Sequence, residues 1–149
     1  MLVGQNLVRD PVEPEWLQQI WFAGCHSDVG GSYAEDESRL SDIALDWMVE
    51  EATSLPHPLV VEPSKLYLFP DSAGMQHSEV EAVRDSYPSW MPRRFCFSWA
   101  ENPRKEARGA PFHPTVAARF ELPTVSYAGD MRPYRPETLR EDDRFSHLY

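Results

Sequence analysis

At 149 residues and 42% hydrophobic, with a formal net charge of −10, the chain has the size of one ordinary globular domain and lacks the basic stripe of a nucleic-acid binder. It contains no apolar run near the ~18 residues of a membrane span, so no transmembrane segment is expected, and its start, MLVGQNLVRDP, does not follow the basic-then-apolar order of a signal peptide. Two cysteines, Cys25 and Cys96, are too few for a disulfide scaffold, which points to a soluble chain that is cytoplasmic as synthesised.

In chain order, residues 1–18 carry Pro11 and Pro14 and read as an irregular approach. QIWFAG, residues 19–24, is rich in β-branched and aromatic residues and stops at Gly24, which predicts a strand covered on both faces, as in a parallel α/β sheet. HSDVGGSYAEDES is a loop by composition. The next segment predicts a helix over 39–54, with Leu40, Ile43, Ala44, Trp47, Met48 and Ala52 on one face, Asp42, Asp46, Glu50 and Glu51 largely off that face, Ser38 or Ser41 capping its start, Asp42 at the positive end of its dipole, and Pro56 ending it. After Pro56 the prolines are too dense for long helices, and short pieces are expected: EVEAVRDSY as a helix, RFCFSW as a strand, TVAARFEL as a helix or a strand. The whole reads as one unit, with a strand-loop-helix region at 19–55 and a loop-rich region at 56–149. The charge divides along the same line: residues 1–83 hold 15 acidic and 3 Lys or Arg side chains, net −12, and residues 84–149 hold 9 and 11, net +2.

The chemistry gathers at the end of the first strand. His26 stands one residue past a buried strand on a glycine-containing loop, where α/β enzymes put reactive groups, and its near-neutral pKa lets it take and return a proton; the alternative is a histidine that only bonds its loop. Asp28 has three readings: orienting His26, ligating a cation with it, or capping the glycine turn. Gly30 and Gly31 let the backbone bend beside these groups. His26, Asp28, Glu35, Asp36 and Glu37 supply enough ligands for a metal on paper, with His77 or His113 as additions, but acidic loops are usually solvated, and neither metal nor other cofactor is expected. The serine elbow G-x-S-x-G has no match in these 149 residues, and Ser32 in GGSYA stands too far past Gly24 to replace it. Cys25 and His26 are adjacent and point to opposite faces of a strand, so Cys25 is expected to pack. Arg93 and Arg94 form a pair that binds phosphate or is merely solvated, His77 and His113 are expected to satisfy local hydrogen bonds, and the five tryptophans to line a core or pocket.

WFAGCHSDVGG followed by LSDIALDWMVEEA resembles the tail of an α/β-hydrolase domain family that includes bacterial type VI secretion phospholipase effectors. The pieces QHSEV around His77, PRRF at 92–95, HPTVAARF at 113–120 and YRPETL at 134–139 are similar as well, so the likeness spans roughly residues 18–140. It implies the C-terminal portion of an α/β-hydrolase-like fold, one late parallel strand plus a helix followed by Pro-rich loops. His26 is then the base of a Ser-Asp-His triad, and Asp28, Gly30 and Gly31 shape its loop. Ala23 and Cys25 stand where the family commonly has proline and a small aliphatic residue. The resemblance implies a lipid or other ester substrate and delivery to another cell. It also places the serine and the aspartate before the histidine strand, so they are expected from an upstream half-domain. The alternative is a non-catalytic module that pairs, or self-associates, through an exposed sheet edge.

Overall fold

The computed structural model of the chain describes residues 18–79, 87–92 and 111–149. Its elements are α1 (His26–Gly30), α2 (Arg39–Thr53), α3 (Pro114–Glu121) and a hairpin of β1 (Val125–Tyr127) and β2 (Asp130–Arg132), with single 3-10 turns between and after them. Among the described residues no helix is long and apolar enough to cross a membrane. The expected elements around residues 80–86 and 94–99, and with them Arg93, Arg94, Cys96, Trp16 and Trp99, lie outside the described residues.

The helix expected at 39–54 is α2, ending at Thr53, and Leu40, Ile43 and Ala44 are buried as the 3.6-residue period requires. Its outer half departs from the expectation, since Met48 is 57% exposed. The segment at residue 69 crosses the first turns of α2, where Arg39 Nη1 donates to Phe69 O at 3.2 Å and Phe69 N donates to Asp42 Oδ2 at 3.0 Å. Asp42 is therefore buried beneath residue 69 instead of standing on the polar face. Neither serine caps the helix with its hydroxyl; Ser38 Oγ donates to Glu35 O and Ser41 Oγ to Ser38 O.

Among the described residues, the segment expected as a strand at 19–24 pairs at one point. Trp21 forms a single parallel bridge with Phe112, Trp21 N donating to Pro111 O at 2.9 Å and His113 N donating to Trp21 O at 2.8 Å. TVAARFEL resolves as the helix α3, with Pro114 in its first turn, where a missing N–H costs nothing, and His113 as its cap. His113 Nδ1 accepts from Thr115 N and lies 2.8 Å from Thr115 Oγ1. This is the local bond expected of it. Pro123 disfavours helical backbone at Leu122, where α3 stops.

The core lies mainly in the region read as loop-rich. Val116, Phe120, Val125, Tyr134, Leu139 and Phe145 pack with Ala23, and the Phe120 ring stacks on Phe145 with centroids 4.7 Å apart. Of the tryptophans, Trp21 and Trp47 are half-buried, but Trp90 is 77% exposed and lines no core. In the hairpin, Ala128 and Gly129 both take positive φ (49° and 89°), the backbone a two-residue turn needs to match strand twist. Gln76 extends the hairpin on the β1 side, its N–H bonded to Ser126 O and its C=O to Ala128 N. Through that bridge the C-terminal core reaches the segment 76–79.

Burial holds the His113 imidazole below its ordinary value, against the pull of Asp46 and Glu50. The neutral ring also suits its place at the positive end of α3. A lowered folded-state pKa means that the unfolded chain binds more protons in this range, so stability rises with pH there. The contribution is complete above the ordinary imidazole value of about 6.5 and is lost as pH falls through the folded value. His113→Asn keeps a capping side chain without the titration, and its urea midpoint is expected to fall less than that of the unmodified chain between pH 7.5 and pH 5. Equal falls would show that His113 does not contribute.

Candidate functional site

HSDVG, expected as a loop, forms the short helix α1, and the reason is the residue two places after His26. Asp28 is the third residue of α1, and its Oδ2 accepts from the N–H of Cys25, the N-cap, at 2.9 Å. Such a bond satisfies a donor that the helix itself leaves unpaired. The carboxylate then goes further, because it is only 2% exposed and its remaining capacity must be met inside the protein. His77 meets it twice: its N–H donates to Oδ2 at 3.1 Å, and its ring Nδ1 lies 2.7 Å from Oδ1. Since a carboxylate only accepts, Nδ1 carries the proton. Of the three readings of Asp28, the capping one describes what it does within its own loop, and the bond to His77 adds a partner 49 residues away. His77, expected to bond locally, is instead the long-range half of this pair.

Gly24 makes the approach feasible. It has φ +127°, and a Cβ built on it would lie 2.5 Å from the Asp28 Cβ. Any side chain at residue 24 collides with Asp28 as well as straining the backbone. Gly31 takes φ +76° just after α1, whereas Gly30 has open space around it.

Around the pair, the Tyr33 ring lies on His77 with centroids 3.5 Å apart and planes 15° apart, and its hydroxyl is 3.7 Å from Cys25 Sγ. Ser27 Oγ donates to Glu79 Oε1 at 3.1 Å, a second tie between α1 and the segment 76–79. Glu37 Oε2 is 3.6 Å from His77 Nε2, beyond hydrogen-bond range, and Nε2 is a buried atom without a hydrogen bond. Burial raises the pKa of the Cys25 thiol, and burial together with the Cys25 contact raises that of the Tyr33 hydroxyl. Cys25 is a free thiol held in its protonated, unreactive form, in keeping with the packing role read from the sequence.

His26 behaves differently from everything next to it. Successive helical residues turn by about 100°, so His26 and Asp28 stand about 200° apart and face opposite ways. Asp28 is buried, and His26 is exposed and makes no hydrogen bond among the described residues. The structure thus brings Asp28 to His77 and not to His26. Among the described residues no group of three or more His, Cys, Asp or Glu side chains is gathered as a metal ion needs.

A residue the sequence reading did not single out supports this arrangement from below. Arg119 on α3 is fully buried, its Nη1 donates to Ser72 O at 2.5 Å and to Gly74 O at 2.9 Å, and its guanidinium lies 4.9 Å from the Tyr134 ring centroid. It thereby grips the turn that leads into Gln76 and His77. Burial lowers the Arg119 pKa and pushes Tyr134 up to about 12. The available signal was its spacing, six residues after His113 in HPTVAARF, which puts it on the face shared by Val116 and Phe120.

Residues 5–51, about a third of the chain, match the family model described as T6SS, Phospholipase effector Tle1-like, catalytic domain. The matched stretch contains Gly24, His26 and Asp28 and runs into α2. No curated protein and no solved structure matches. The family match supports a phospholipase-related function at the level of the family, and a lipid substrate fits it.

The steric account of Gly24 is open to test. Gly24→Ala is expected to destabilise the chain by about 1–3 kcal/mol, the cost of a residue forced into a sparsely populated conformation. It should also speed exchange of the Cys25 amide. A urea midpoint within error of the unmodified chain would show that residues 24 and 28 do not press on each other.

Proposed function

We propose that His26 is the general base of a Ser-Asp-His triad in an α/β serine hydrolase that cleaves lipid esters, and that the serine and the aspartate come from another segment. The family match across residues 5–51 carries this reading, because the matched stretch holds the exposed imidazole on its own rigid turn. Among the described residues the His26 side chain makes no hydrogen bond, whereas one ring nitrogen of His77 is held by Asp28 and one of His113 by Thr115, so His26 alone of these three has both nitrogens available for a serine and an aspartate.

The chemistry is that of acyl transfer. His26 takes the hydroxyl proton as the serine oxygen bonds to the ester carbonyl carbon, and the carbonyl oxygen becomes an oxyanion. The protonated imidazole then gives that proton to the leaving alcohol oxygen as the ester C–O bond breaks. Water, deprotonated by His26 in turn, releases the acyl group as the acid and frees the serine. Asp28 and the glycines shape the turn and take no part in proton transfer. Delivery into another cell fits the secretion family of the match.

The edge at Trp21 supports the manner in which the other segment joins. Alternate residues of an extended chain turn their N–H and C=O groups to opposite sides. Trp21 uses both of its groups toward residues 111–113, so Ile20 and Phe22 turn theirs the other way, where no described backbone group bonds them. An open edge of this kind accepts a further strand. The same edge favours the second reading, a module that binds without catalysis, and one experiment separates the two.

The 149-residue chain alone is expected not to release fatty acid from phosphatidylcholine vesicles. Joined behind a serine-bearing half-domain of the matched family, it is expected to hydrolyse them, and His26→Ala should lower turnover at least about a thousandfold. Turnover untouched by His26→Ala, or turnover by the 149 residues alone, would rule the triad role out. Stable association of the two parts without any turnover would favour the binding module.

A further inference from the structure

We infer that His77 is a positioning residue for His26, acting through the buried carboxylate of Asp28; the inference rests on the reading of His26 as the base. His77 itself is unsuited to that role. Its ring is committed at Nδ1 to Asp28, covered on one face by Tyr33, and only 14% exposed at the side chain. Its Nε2 points toward the carboxylate of Glu37 at 3.6 Å and not into open space for a substrate.

What His77 does is complete the surroundings of Asp28. Among the described residues three donors reach that carboxylate: one from the N-cap of α1 and two from His77, N–H and Nδ1–H. Removing the ring leaves a buried anion short of its shortest hydrogen bond, and such a group seeks water or a new conformation. Asp28 is on the same turn as His26, so any movement of its carboxylate loosens the Cys25 N–H bond that starts α1 and with it the direction of the His26 side chain. Among the described residues, Tyr33, Glu37, the Ser27–Glu79 link and, through the Gly74 turn, Arg119 face the pair, and none of them donates a hydrogen bond to Asp28. Arg119 instead holds the His77 segment from behind, and Gln76 ties it to the hairpin. His26 is thus anchored through Asp28 to a segment fixed on its other side by α3 and β1.

The test uses the unaided 149-residue chain, so it does not depend on turnover. Labelled protein reports hydrogen exchange of the Cys25 amide and the mobility of the His26 ring by NMR, with the urea midpoint measured beside them. His77→Ala is expected to speed Cys25 exchange at least about tenfold and to mobilise the His26 ring. His77→Asn places a side-chain N–H near the position of Nδ1 and should restore both, while His77→Asp, of the same size, sets a second carboxylate against Asp28 and should not. This isosteric pair keeps the inference falsifiable even where the alanine variant does not fold. Tyr33→Leu, which removes the stack and the hydroxyl beside Cys25 Sγ but leaves the hydrogen bonds to Asp28, should leave Cys25 amide exchange near its starting rate. The inference fails if His77→Ala leaves the Cys25 amide and the His26 ring unchanged, or if Asn and Asp behave alike. An ordered, His77-dependent His26 whose replacement by alanine leaves vesicle turnover by the joined protein unchanged would overturn the triad reading and leave this one standing.

Discussion

A carboxylate taken out of water has to find donors or become neutral, and the surroundings of Asp28 are built to supply them. Cys25 gives one from the start of α1, and His77 gives two from a segment far along the chain. Gly24 follows from this, since only a residue without Cβ lets Asp28 approach so closely. The exposure of His26 follows as well, because a helix that turns Asp28 inward turns the residue two places earlier outward. One buried charge therefore shapes a turn, selects a glycine and aims an imidazole.

The support for that charge lies in the C-terminal third. The core of Val116, Phe120, Val125, Tyr134, Leu139 and Phe145 holds α3 against the hairpin, and both elements reach out to the His77 segment. Arg119 pays a desolvation cost to do so, with Nε and Nη2 buried and without hydrogen bonds. Its two carbonyl bonds and the Tyr134 face offset part of that cost. Stability and site geometry meet in this side chain, which helps to fix the turn before His77.

How much of this was legible in the sequence depended on the range of the interaction. α2 was readable because four turns of a 3.6-residue period are a local signal, though the segment covering its first half could not be seen, so Met48 was assigned inward and Asp42 outward. α3 was ambiguous by period, and its two start signals, His113 and Pro114, were there to decide it. α1 was missed because two glycines and a short polar run look like a loop, and only the capping bond of Asp28 makes them helical. His26 and Asp28 were both singled out from the sequence. Their opposite orientations were hidden by that loop reading, and the His77 partner was hidden by 49 residues of separation, which no local pattern encodes. The strand expected at 19–24 had the right composition, yet pairing depends on neighbours, and the described residues offer it one bridge.

The path by which the chain closes this arrangement has a consequence for its order of assembly. α2 needs only its own residues to begin forming, but the Asp28–His77 pair waits on a loop of 49 residues, and Gln76 is tethered only once the hairpin beyond Val125 exists. Contacts of such sequence separation carry a loop-closure cost before they return any energy, so they come late. The turn bearing His26 precedes in the chain both the His77 segment and the hairpin that support it, so it leaves a ribosome before its supports do. The Asp28–His77 support can form only after residue 77 has been made, and the tie of Gln76 to the hairpin only after residue 128.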